Sequence, residues 1–193
     1  MATGAESVEL VEAETVTDLA RAGLFAALVG AFAYVSFPTP FSPAPVTLQV
    51  LGVFLAGILL GPAWGGFSLL VYLLVGALGA PVFAGGTAGV GVLVGETAGY
   101  LWSYPVAAAT VGAVVHRGTD LREPAEVPPT TLVIAMVAGT VVVYGSGTVV
   151  MAAVLGLTLG EAFLLGAAAF VPFEAVKIAA AVGIVHSDRL AAA

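Results

Sequence analysis

Hydrophobic positions in this chain fall in long runs, separated by short breaks rich in proline, glycine or charge. A helix needs about 20 largely apolar residues to cross the hydrocarbon of a bilayer. On that measure the runs predict six transmembrane helices, at about 19–37, 47–60, 64–80, from 92 or 97 to 115, within 131–157, and within about 161–185. Gly61-Pro62 parts the second from the third. The stretch Pro38-Thr-Pro-Phe-Ser-Pro-Ala-Pro45 follows the first; fixed φ angles and missing N–H donors predict an extended, stiff loop. A glycine-rich segment, Phe83–Gly91, follows the third. The stretch from His116 to Thr130 holds Arg117, Asp120, Arg122, Glu123, Glu126 and three prolines, and reads as an aqueous loop. No period-2 alternation recurs, which argues against a β-barrel. The expected fold class is therefore all-α integral membrane: an acidic tail over 1–18, then a six-helix domain over 19–187.

Composition agrees. Of 193 residues, 60% are hydrophobic and 9% charged, against about 25% charged in a soluble domain. With no cysteine, disulfides, thiolate metal sites and cysteine nucleophiles are excluded. His116 and His186 both sit where apolar runs end, so neither a metal nor a cofactor is expected. The net charge is −7, and Glu6, Glu9, Glu12, Glu14 and Asp18 crowd the start, which is unlike a secretory signal. A basic nucleic-acid-binding surface is missing. Basic residues near span ends favour the cytoplasmic side. With both termini cytoplasmic, Arg21, Arg117, Arg122 and Arg189 all fall on that side, and the proline-rich and glycine-rich loops share the other.

The remaining cation, Lys177, lies inside the last apolar run. An ionisable residue near mid-membrane costs about 2.5–3.5 kcal/mol or more on insertion scales. Glu174 precedes it by three residues, which puts both on one helix face. The pair is read as a ligand or ion site rather than a structural ion pair, because apolar packing holds a helix at less cost. Pro172 in the same run predicts a break that leaves the Ala168 carbonyl unpaired by the helix. Gln49 opens the second span with an amide that both donates and accepts. Tyr100, Trp102 and Tyr104 suit an interfacial belt, but Tyr72 sits mid-span. Small residues at four-residue spacing, Ala22/Ala26/Gly30 and Ala27/Ala31, allow close helix contact, internal or with a partner. The chain has no P-loop, so it cannot use ATP by that route. Gly145-Ser-Gly147 has a serine but no evident base to activate it, which leaves an intramembrane enzyme a weak reading.

Pro43-Ala-Pro-Val-Thr-Leu-Gln49, Leu60-Gly-Pro62, Ser68 to Tyr72, Gly76-Ala-Leu-Gly-Ala-Pro-Val-Phe-Ala-Gly-Gly86, Gly99-Tyr100 and Pro172-Phe-Glu-Ala-Val-Lys177 occur in this order. This resembles the BioY family, the biotin-specific S components of energy-coupling-factor (ECF) transporters, from about Leu24 to Ala181. The resemblance implies a six-helix ECF S-component-like fold in the plasma membrane. It also implies high-affinity biotin binding coupled to a separate transmembrane protein and two ATPase subunits. It places Glu174 and Lys177 in the biotin pocket, and suggests that Gln49, Phe83, Gly85 and Gly86 shape that pocket; Tyr72 and Tyr100 join the candidate set. The small-residue face of span one, Ala22, Ala26 and Gly30, would dock on the coupling protein. Two positions depart from the family's pattern: Glu174 stands where aspartate is usual, and Gly95-Glu-Thr-Ala-Gly-Tyr100 replaces Gly-Pro-Thr-Gly-Gly-Tyr. A rival expectation is a solitary, proton-coupled carrier with Glu174 as the titrating group.

Overall fold

The computed structural model describes residues 13–118 and 121–187, with the side chains of residues 13 and 14 excepted. The first twelve residues of the expected acidic tail, Asp120 and Arg189 lie outside the described residues. The elements are α1 (Ala13–Ala33), β1 (Ser36–Thr39), β2 (Ser42–Thr47), α2 (Gln49–Ala77), α3 (Ala98–His116), α4 (Pro129–Leu155), α5 (Leu159–Gly166) and α6 (Val171–Val185). Among the described residues, five helical stretches are long and apolar enough to cross a membrane: Thr15–Ala33, Gln49–Ala77, Ala98–His116, Pro129–Leu155 and Leu159–Val185.

The second and third expected spans are one continuous stretch, α2, that reverses at Gly61. There the backbone takes φ +76° and ψ −176°, a region open essentially to glycine alone. Pro62 follows, and its missing N–H suits a first helical position. Four residues either side of Gly61, a Cβ on Gly65 would lie 3.1 Å from the Cα of Gly57 and 2.8 Å from the Ala56 carbonyl. Eight residues along an unbroken helix would span about 12 Å. The two arms therefore run back to back, and the missing side chains let them touch. α3 lies against the turn, since a Cβ on Gly112 would come within 2.5 Å of the Pro62 nitrogen.

α1 is described from Ala13, so Thr15 to Asp18 of the acidic stretch are helical, and it ends at Ala33 instead of Phe37. The proline-rich stretch is not a plain extended loop. β1 and β2 pair antiparallel, with Ser36 opposite Thr47 and Phe37 opposite Val46, and an irregularity between Phe37 and Thr39. In a two-stranded ribbon each strand has a free edge, and prolines are tolerated there.

The last expected span is broken as well. Thr158 caps α5, accepting from the Glu161 N–H at 3.2 Å while Glu161 Oε2 accepts from the Thr158 N–H at 2.9 Å. The helix stops at Ala167 (φ −131°, ψ −61°), and a 3₁₀ turn, Ala168–Phe170, leads into α6. Pro172 thus sits at the start of a helix, where no bond is lost, and the Ala168 carbonyl accepts from the Val171 N–H. The expected unpaired carbonyl is not there.

The core lies between the arms of α2, α3 and α4, around Phe54, Ile58, Leu69, Val111, Leu132 and Met136, all fully buried. At the Gly61 end, both histidines hold the α3–α4 loop. His116 Nδ1 accepts from the Arg122 N–H at 3.0 Å, which leaves Nε2 to donate to the Ile58 carbonyl at 3.0 Å. His186 Nε2 lies 3.1 Å from the Val127 carbonyl.

Candidate functional site

At the opposite end, the β1–β2 ribbon and the glycine-rich segment meet over one cavity of about 360 Å³. Ala44 and Pro45 of β2, with Phe83, Ala84 and Thr87, form its rim, and residues from α2, α3, α4 and the α5–α6 break form its walls. Ligand pockets commonly measure about 300–1,000 Å³.

The charged end of the site is built from α6 and α4. Lys177 Nζ donates to Glu174 Oε1 at 2.6 Å, and the Tyr144 hydroxyl donates to the same oxygen at 2.7 Å. Both charged residues are buried, Lys177 at 5% exposure and Glu174 at 3%. The (i, i+3) spacing on α6 produces the pair. Tyr144 lies thirty residues away in sequence, so helix spacing does not pair it with Glu174. Of the two charges, Lys177 lines the cavity and Glu174 stands behind it. The carboxylate neutralises the ammonium and orients it, while the lysine presents its remaining donors inward.

The second polar group is Gln49. Its Oε1 accepts from the Thr47 hydroxyl at 3.0 Å, and its Nε2 donates to the Tyr72 hydroxyl at 2.6 Å. Tyr72 in turn donates to the Val82 carbonyl at 3.1 Å. This chain joins the two arms of α2 to the loop that carries Phe83. Tyr72 lies behind the wall; it holds Gln49 and does not itself border the cavity. Its ring meets Phe83 edge-on, with centroids 5.5 Å apart, and stacks on Tyr104 at 6.3 Å.

Aromatic side chains supply the apolar walls. Tyr100 meets Tyr144 edge-on at 5.8 Å, and Tyr144 lies 5.9 Å from Phe170. The Tyr100 hydroxyl donates to the Gly166 carbonyl at 2.8 Å, so it satisfies the end of α5 and fixes the break before α6. Tyr100 and Tyr104 are buried, which sets aside the belt reading for them, while Trp102 is 55% exposed and fits it.

The expected residues thus separate into groups. Gln49, Phe83, Tyr100 and Lys177 border the cavity, and Glu174 and Tyr72 support them from behind. Gly85 and Gly86 do not border it. They take φ +65° and +78°, and their role is the tight turn that sets Phe83, Ala84 and Thr87 on the rim. Glu96, which stands where the family's pattern has proline, lines the cavity. Tyr104, Tyr144, Phe170 and Thr47 also line it and were not singled out as site residues. A hydroxyl-bearing ring inside an otherwise apolar span was the available signal for Tyr144.

Two other expectations change. Ala22, Ala26 and Gly30 are buried against this chain, with a Cβ on Gly30 meeting Val82 at 3.1 Å. They are internal packing; the exposed small residues of α1 include Ala20, Gly23, Ala27 and Ala31. The Ser146 hydroxyl donates to the Gly99 carbonyl at 2.8 Å, a helix-to-helix tie with no base beside it.

Known proteins are similar to this chain in sequence and in fold. The biotin transporter BioY of Rhizobium etli is 35% identical over 162 residues, covering 83% of this chain and 86% of that one. The probable biotin transporter BioY of Pyrococcus horikoshii is 35% identical over 173 residues, covering 90% and 95%. The fold matches the crystal structure of the S-component for biotin from an ECF-type ABC transporter, with a TM-score of 0.81 over 95% of both chains at 22% identity. The BioY family model matches residues 5–192, and the chain belongs to the BioY family.

Proposed function

We propose that this chain is the biotin-binding subunit of a vitamin uptake system in the plasma membrane. A separate transmembrane coupling protein and two ATPase subunits supply the energy. The observation that carries this reading is the buried Lys177–Glu174 pair on the wall of a 360 Å³ cavity. Biotin's ureido group has two N–H donors and one carbonyl acceptor. Lys177 donates to that carbonyl or to the ligand's carboxylate, and bonds to charged groups are the stronger kind. Gln49 and Thr47 offer neutral polar contacts, and the Tyr100, Tyr104, Tyr144 and Phe170 rings suit the bicycle and valerate stem. In this reading both arms of α2 cross the bilayer, which gives six crossings with both termini in the cytoplasm. Arg117 and Arg122 near the Gly61 end support that orientation. The exposed Gly23, Ala27 and Ala31 of α1 are the docking face for the coupling protein.

Calorimetry on purified protein tests the first step. Biotin binds in the nanomolar range, and Lys177→Ala abolishes the heat without unfolding the protein. Folded wild-type protein that gives no heat with biotin overturns the reading. Reconstituted vesicles test the second step, because uptake driven by a pH gradient without ATPases makes the chain a solitary carrier instead.

A further inference from the structure

The biotin site engages one oxygen of Glu174. The other, Oε2, is buried and has no hydrogen-bond partner among the described residues; Thr148 Oγ1 on α4 is in the same condition. An unpartnered buried acceptor costs about 1–3 kcal/mol, more when charged. Both residues border a second cavity, of about 520 Å³, between α4 and the α5–α6 break. Tyr144 borders both cavities and forms part of the partition between them. The other walls of the second cavity include Val141, Val149, Leu159, Phe163 and Val171, each more than half exposed. On helices that cross a membrane, such side chains face lipid, so this cavity is a crevice open to the bilayer.

The polar end of the crevice selects its occupant. A carboxylate oxygen only accepts, so the occupant must donate. Lys177 already balances the charge of Glu174, so a cationic head would leave an uncompensated charge at membrane depth, and an anionic head would meet Glu174. A neutral hydroxyl matches the chemistry of both orphans, since it can donate to Glu174 Oε2 and accept from Thr148 Oγ1–H. The apolar walls suit an alkyl chain. We propose that this crevice binds the hydroxyl end of an uncharged, alkyl-chained alcohol drawn from the bilayer. It is a site distinct from the biotin cavity, and its second hydrogen bond draws on the same carboxylate.

The full chain in lipid nanodiscs is labelled with a photoreactive diazirine alkanol, and adducts are mapped by mass spectrometry. Labelling is expected on Glu174 and on the Tyr144–Thr148 wall. Decanol should suppress it at about tenfold lower concentration than decyl methyl ether, which cannot donate. Gly145 borders the crevice with open space beside its Cα, so Gly145→Leu should fill the crevice and remove these adducts. Thr148→Val, which is nearly isosteric, should weaken the decanol effect. Equal suppression by alcohol and ether, adducts spread evenly over the lipid-facing helices, or labelling unchanged in a folded Gly145→Leu protein overturns the proposal. None of these readouts uses biotin, so a failure here leaves the biotin reading intact, and the reverse also holds.

Discussion

The α2–α3 side of the molecule and the α5–α6 side are built on opposite terms. In the first, helix backbones touch. A methyl group on Gly57 would strike the Ala108 carbonyl, and one on Gly112 would lie 2.5 Å from the Pro62 nitrogen. In the second, a Cβ added at Gly160 or Gly183 would meet nothing within 4 Å, although one at Gly166 would strike the Tyr100 hydroxyl. Burial follows the same division: 19 of the 29 residues of α2 and 12 of the 19 of α3 are buried, against 4 of the 15 of α6. The closed side is the frame. The open side carries Glu174 and Lys177 on α6, which is tied to the frame by the Tyr144–Glu174 hydrogen bond and by Ala181 and Val185 in the core. The charged pair is thus placed on the less buried part of the fold, while Gln49, Tyr100 and Tyr104 border the cavity from the closed side.

This contrast can be broken by substitution. Gly112→Val should cost about 3 kcal/mol or more, because the displaced atoms are backbone and cannot yield; denaturant titration of the purified protein measures it. Should Gly112→Val fold as stably as wild type, the closed side is not a rigid frame. Lys177→Met should cut biotin affinity at least about 30-fold, since it strips one partner from a buried charge pair. Tyr144→Phe keeps the ring and removes one donor to Glu174, for an expected loss of about tenfold in affinity. An unchanged affinity would mean that Lys177 alone holds the carboxylate. Glu96→Gln should tighten biotin by about threefold at low salt and less at high salt, because it removes a negative charge from the cavity of an anionic ligand. Gly183→Ala should change stability by less than about 0.5 kcal/mol. A larger cost would show that α6 is packed more tightly than its open glycine implies.

Much of the frame was legible in the chain itself. Long apolar runs and their Gly/Pro breaks gave the helices to within a few residues, because burial in lipid leaves few alternatives to a helix. Lys177 with Glu174 was legible because a charge within an apolar run is costly and because helix spacing pairs it. The ribbon of β1 and β2 was not, since proline usually signals the lack of pairing and only its partner strand reveals the free edge. Tyr144 as the third member of the charged cluster was not, because its tie to Glu174 is tertiary. The inward face of Ala22, Ala26 and Gly30 was hidden for a similar reason: a stripe of small residues shows that something comes close, and only the neighbouring loop shows what.

The reversal at Gly61 bears on how far a ligand must travel. The first arm of α2, Gln49 to Leu60, has twelve residues, about 18 Å of helix, against about 30 Å of hydrocarbon. In the proposed topology this arm does not make up the crossing alone, and the chain beyond Gln49 continues it in the β1–β2 ribbon. Gln49, which lines the cavity, then stands below the membrane surface on the ribbon side. A solute entering from that side sheds its water over part of the membrane thickness only, and it does so against an amide and an ammonium instead of against acyl chains.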